Sequence, residues 1–151
     1  MRPDTTYAGN VTFNGTGLEF SSDADVIKGA IAMLKEKNPD TKVLVSVGGT
    51  LYKNWHALNA EAVAHFVKDF GLDGVVIDYE VVAPTCYVDV DGSMQCYENE
   101  EHLPAIEALR EALPRPYILA NAAMNVGAHG EGDSADAQRP LPHAEHSVMT
   151  L

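Results

Sequence analysis

Two short runs constrain the fold more than anything else in the chain. Residues 42–49 (KVLVSVGG) and 73–80 (DGVVIDYE) are apolar almost without alternation, as strands are when both faces of a parallel sheet are covered. Between them, about 58–70 carries Ala62, Val63, Phe66 and Phe70 at the spacing of one buried helix face, with Asn59 as the expected cap and Gly71 as the stop. Strand, helix and strand in this order make a right-handed unit of a parallel sheet.

The pattern extends to both sides. Ser22 or Asp23 caps an expected helix with Val26, Ala30, Ile31 and Leu34 on one buried face, and it stops at Asn38, which precedes a proline. A third helix is expected over 100–113, with Leu103, Ile106, Leu109 and Leu113 on one stripe. Pro114 and Pro116 bracket its exit, and 117–124 (YILANAAM) reads as a third strand. Residues 1–20 read as loop or short hairpin, 81–99 as an insertion, and 127–151 as an irregular tail or loop. The class is therefore α/β, either an open doubly wound sheet or part of a (β/α)8 barrel. A complete barrel needs roughly 250 residues, so a barrel reading makes residues 1–151 a single partial domain.

A formal net charge of −12 argues against nucleic acid or an anionic membrane surface as partner. No run of apolar residues is long enough to span a bilayer. The opening MRPDTTYAGN lacks the apolar segment of a signal peptide, which alone points to the cytoplasm. Asn10 and Asn14 sit in glycosylation sequons, which matter only in a secretory chain. Cys86 and Cys96 are either a disulfide pair within the insertion or two free thiols. DVDGS at 89–93 has the spacing of a calcium-loop fragment, but an acidic surface loop is the favoured reading. The six histidines form no metal pair at helical spacing with a carboxylate, His65 reads as a surface or boundary residue, and no metal or cofactor is expected.

The chemistry concentrates at the end of 73–80. Alternation puts Val76, Asp78 and Glu80 on one side of the strand and Val75, Ile77 and Tyr79 on the other. Two carboxylates on one side are either solvated acids at a strand end or an acid pair. In an acid pair, a negative Asp78 would hold a proton on Glu80 and raise its pKa towards that of a general acid.

DGVVIDYE resembles the catalytic strand of glycoside hydrolase family 18, the chitinase family, whose pattern is Asp-Gly-x-Asp-x-Asp-x-Glu. SVGG at 46–49 is similar to that family's Ser-x-Gly-Gly on the preceding strand. The resemblance covers about 42–122 and implies strands 3 to 5 of a (β/α)8 TIM barrel. It also implies a secreted or extracellular enzyme acting on N-acetylglucosamine-containing glycan. Glu80 would be the general acid, and Asp78 would orient the 2-acetamido group whose carbonyl attacks the anomeric carbon. Asp73 and Gly74 would be structural, with Ser46, Gly48 and Gly49 making room for the sugar. Trp55 would either stack on a sugar ring or pack. The family's middle acid is Val76 here, and no Met-x-Tyr-Asp segment follows. A chitinase-like lectin without turnover and a truncated inactive product therefore stay open, and a partial barrel would self-associate through open sheet edges.

Overall fold

A computed structural model describes residues 1–80, 86–92, 94–96, 99–122 and 148–150, with Cys86, 94–96, Asn99 and 148–150 described by their backbone path. Of the tail expected over 127–151, residues 127–147 and 151 lie outside the described residues. In chain order come α1 (Ala24–Lys37), β1 (Leu44–Gly48), a 3-10 turn (Trp55–Ala57), α2 (Ala60–Asp69) and β2 (Gly74–Asp78). The hairpin strands β3 (Cys86–Val88) and β4 (Met94–Cys96) follow, then α3 (Asn99–Ala112), β5 (Ile118–Ala122) and β6 (Val148–Thr150).

The protein is α/β. Strands β1, β2 and β5 are neighbours in that order and all parallel, with Val45 opposite Val75, Gly48 opposite Asp78, and Ile77 opposite Asn121. The fourth strand corrects the expectation of parallel strands alone. β6 runs antiparallel on the free side of β5, in a segment read as part of an irregular tail. The expected insertion also holds structure, since β3 and β4 pair as an antiparallel hairpin. Its turn closes where the Gly92 N–H donates to the Asp89 carbonyl at 2.9 Å, so DVDG is a hairpin turn.

Burial follows the alternation. Val45, Val47, Val75, Ile77 and Leu119 form one core with Val63, Phe66 and Val67 of α2 and Leu109 of α3. Each such side chain contributes about 1.5–3 kcal/mol when fully buried. The alternate residues, Ser46, Val76 and Asp78, stand outside that core, Ser46 exposed and the other two half-buried. The helices that follow β1 and β2 therefore cover the same face of the sheet.

α2 is as the sequence predicts. Asn59 accepts the Ala62 N–H at 3.1 Å through its side-chain oxygen, the four inward residues are buried, and His65 is exposed. α1 corrects its expected face. Val26 and Leu34 are 59% and 46% exposed, Ala30 is exposed too, and only Ala24 is buried, with Ile31 half-buried against the core. The helix is rotated so that Lys35 reaches the sheet, where its ammonium meets Asp73 at 2.9 Å and the Gly71 carbonyl at 2.9 Å. Asp23 stands at the N-cap without a capping side-chain bond. In α3, Leu103 is likewise exposed, and Ala105 and Ala112 share the buried stripe with Leu109.

Asp73 ties the N-terminal ends of three strands together. Its carboxylate accepts the Val43 N–H at 2.8 Å, its own N–H donates to the Val43 carbonyl, and its carbonyl accepts the Ile118 N–H at 2.8 Å. Burial pushes this carboxyl up, but the Val43 N–H and the Lys35 ammonium outweigh it and hold the pKa below its ordinary value. Beside it, Gly74 must be glycine, because a Cβ there would run into the Ile118 backbone. Asp73 and Gly74 thus hold neighbouring strands together at this end of the sheet. Outside β1, Met1 adds a one-residue parallel contact, with its amino group donating to the Ser46 carbonyl at 2.6 Å and its carbonyl accepting the Gly48 N–H at 2.9 Å.

Candidate active site

The two sequence motifs meet at the C-terminal ends of β1 and β2. Parallel register sets Gly48 beside Asp78, and the Gly49 N–H donates to the Asp78 carbonyl at 2.7 Å, carrying the pairing one residue past the strand. The fit requires glycine at position 48. Its φ is +100°, and a Cβ there would strike both the Asp78 carbonyl and the Trp55 ring. At Gly49 a Cβ would lie 3.4 Å from Asp78 Oδ2, so the absence of side chains leaves the Asp78 carboxyl uncovered on that side. Ser46 is one pair further down, opposite Val76.

Asp78 and Glu80 are brought together as the alternation predicts. The Asp78 carboxyl is held above its ordinary pKa. Burial of Asp78 is the largest cause, followed by the negative charge of Glu80 and a hydrogen bond between the two carboxyls, with the Met1 ammonium opposing them. Asp78 sits half-buried between strands, and Glu80 stands exposed past the end of β2. The pair can share a proton, which rests more readily on Asp78 than on an ordinary aspartate.

Thr50 was not singled out by the sequence reading, although it directly follows SVGG. Its hydroxyl donates to Glu80 Oε2 at 2.5 Å, the length of a charge-assisted O–H···O bond. Tyr79, between the two acids, points to the helix side as expected. Its ring packs 5.3 Å from Trp55 and stacks 4.7 Å from His102, and its hydroxyl donates to Glu101 Oε2 at 2.6 Å. These contacts hold the strand end from behind.

Trp55 takes the packing role of the two expected for it. It is 2% exposed, wedged between Gly48 and Tyr79, so neither ring face is open to a sugar and its role here is packing. Its indole N–H meets no acceptor among the described residues. His102 and Asn121 form a second polar feature on the helix side. Burial lowers the His102 pKa while Asn121 opposes the shift, yet His102 Nε2 and Asn121 Oδ1 make no hydrogen bond of ordinary geometry. Cys86 and Cys96 are directly opposite each other in the β3–β4 register, and their side chains lie outside the described residues. Among the described residues, no three His, Cys, Asp or Glu side chains gather as metal ligands, and no helix is long and apolar enough to cross a membrane.

Comparison with known proteins finds no matching family model, no matching curated protein and no matching solved structure.

Proposed function

We propose that this chain carries the acid pair of a family 18-type glycoside hydrolase acting on N-acetylglucosamine-containing glycan. One observation carries the reading. Asp78 and Glu80 stand on one side of the same strand end, close enough for the charge of Glu80 to favour a proton on Asp78, next to a glycine pair that leaves Asp78 open. The topology supports the finer fold. Strands that advance in one direction, with both crossover helices on one face, fit a barrel segment, whereas a doubly wound sheet needs helices on both faces. In this segment the face bearing Ser46, Val76 and Asp78 would line the interior, and β6 is an antiparallel addition at its edge.

In the proposed reaction, Glu80 protonates the glycosidic oxygen as the bond to the anomeric carbon breaks. The substrate's own acetamido carbonyl closes on that carbon, and Asp78 holds the acetamido N–H. Water then opens the cyclic intermediate, giving up a proton to Glu80 and restoring the starting state.

A carbohydrate-binding protein without turnover is the second reading, and Val76 favours it. The family's middle acid would face inward next to Asp78, and here a valine fills that place, removing one partner for proton sharing. The test is turnover of a fluorogenic N-acetylglucosamine oligomer alongside binding to the unlabelled oligomer. Glu80→Gln is expected to keep binding and cut turnover about 10²-fold or more. Unchanged turnover removes Glu80 from the mechanism. Binding without turnover in the unaltered chain selects the lectin, and neither selects the inactive product.

A further inference from the structure

We propose that Thr50 is a positioning residue for Glu80, fixing the rotation of its carboxyl so that the transferable proton sits on Oε1. The inference rests on the glycosidase reading of the same site. A glutamate past a strand end has three rotatable bonds, and an exposed one samples many orientations unless something holds it. The Thr50 hydroxyl supplies that hold. It donates to Oε2 at 2.5 Å, which makes Oε2 the accepting oxygen and leaves Oε1 to carry the proton towards Asp78 or the leaving group.

The donor is itself fixed. Gly49, immediately before Thr50, is anchored by its N–H to the Asp78 carbonyl, and its own carbonyl accepts the Tyr52 N–H at 3.1 Å. Thr50 is thus presented by a turn bolted to the same strand end that carries the two acids. On the opposite side of that strand end, Tyr79 is held by Trp55, His102 and Glu101. The carboxyl is therefore oriented from the front by Thr50 and its backbone from behind by Tyr79. Both Thr50 and Glu80 are exposed, so the bond bears on geometry far more than on stability.

The experiment uses the full chain and the fluorogenic N-acetylglucosamine oligomer. Thr50→Val keeps the shape and removes the donor, and Thr50→Ser keeps the donor. Thr50→Val is expected to lower kcat about tenfold, the scale of a small misplacement of a reacting group, while KM changes by less than about twofold. Thr50→Ser is expected to stay within about twofold of the unaltered chain, and Thr50→Val is expected to cost nothing further on top of Glu80→Gln. Circular dichroism checks folding, with Thr50→Ala as a second donor-less variant. An unchanged kcat in the folded donor-less variants, or a serine variant as slow as the valine one, overturns the positioning role alone. If the unaltered chain hydrolyses nothing, the glycosidase reading falls and the positioning role falls with it.

Discussion

Removing the Asp73 carboxylate should loosen the whole sheet from its N-terminal end. In Asp73→Ala the Val43 N–H loses the acceptor it meets at 2.8 Å, and an orphaned, partly buried donor costs about 1–3 kcal/mol. Lys35 loses its carboxylate but keeps the Gly71 carbonyl and is partly solvated, so the ion pair adds only about 0.5 kcal/mol. Together the loss is about 2 kcal/mol at neutral pH, or roughly 4–8 °C in Tm for a chain of this size. Asp73→Asn retains an acceptor for Val43 and should lose about half as much. The effect depends on pH with a definite sign. The folded-state carboxyl titrates below its ordinary 3.8, so its stabilisation is complete above that value and fades as pH falls through the lower folded-state pKa. Urea unfolding followed by circular dichroism, at neutral pH and again below 3.8, measures both. A loss under about 0.5 kcal/mol at neutral pH refutes the clamp, and a loss of equal size at both pH values refutes its dependence on charge.

Three further outcomes follow from the geometry. Gly48→Ala places a methyl against the Asp78 carbonyl and the Trp55 ring at a φ of +100°; a drop of about 3 kcal/mol or more is expected in urea unfolding, and a neutral result would mean that the strand ends separate easily. Met33 and Leu34 are 57% and 46% exposed on α1 beside Val26, an apolar stripe that favours self-association; light scattering of Met33→Lys with Leu34→Glu should show a smaller species than the unaltered chain, and equal sizes would clear this helix of involvement. Cys86 and Cys96 face each other across β3 and β4, and opposite antiparallel positions are separated by about 4.5–5.5 Å between Cα atoms, within disulfide reach; peptide mapping of oxidised protein should return the linked pair, and two free thiols would contradict it.

What the sequence revealed, and what it hid, follows from the range of the forces involved. β1, β2, β5 and α2 were legible because apolar runs and a capped 3.6-residue period are local signals. The face of α1 was misread because its period fits more than one rotation, and a distant contact, Lys35 with Asp73, selects among them. The three-residue strands of the β3–β4 hairpin and β6 are too short to carry a pattern, and β6 owes its existence to pairing with β5. At the site, the motif spacing placed Asp78 beside Glu80 and beside the glycines. Thr50 was within reach of sequence reasoning, as the first side chain after two glycines next to an acid pair. Trp55 was not, since an aromatic after a strand end serves equally as a platform or as a wedge.

The pinning of three strands by Asp73 at one end, with Asp78 and Glu80 at the other, has a consequence for how this protein can change. Five residues of strand separate the two ends, about 16 Å at 3.3 Å per residue, beyond the range at which substitutions ordinarily couple. The N-terminal edge of the sheet can therefore accumulate or lose stability without altering the acids. The C-terminal edge can exchange Asp78, Glu80 or Thr50 with little effect on the clamp, whereas Gly48 is held by its close fit against Asp78 and Trp55. A lineage built on this arrangement could change the chemistry of that rim through substitutions at its acids and Thr50 alone, its folding left intact throughout.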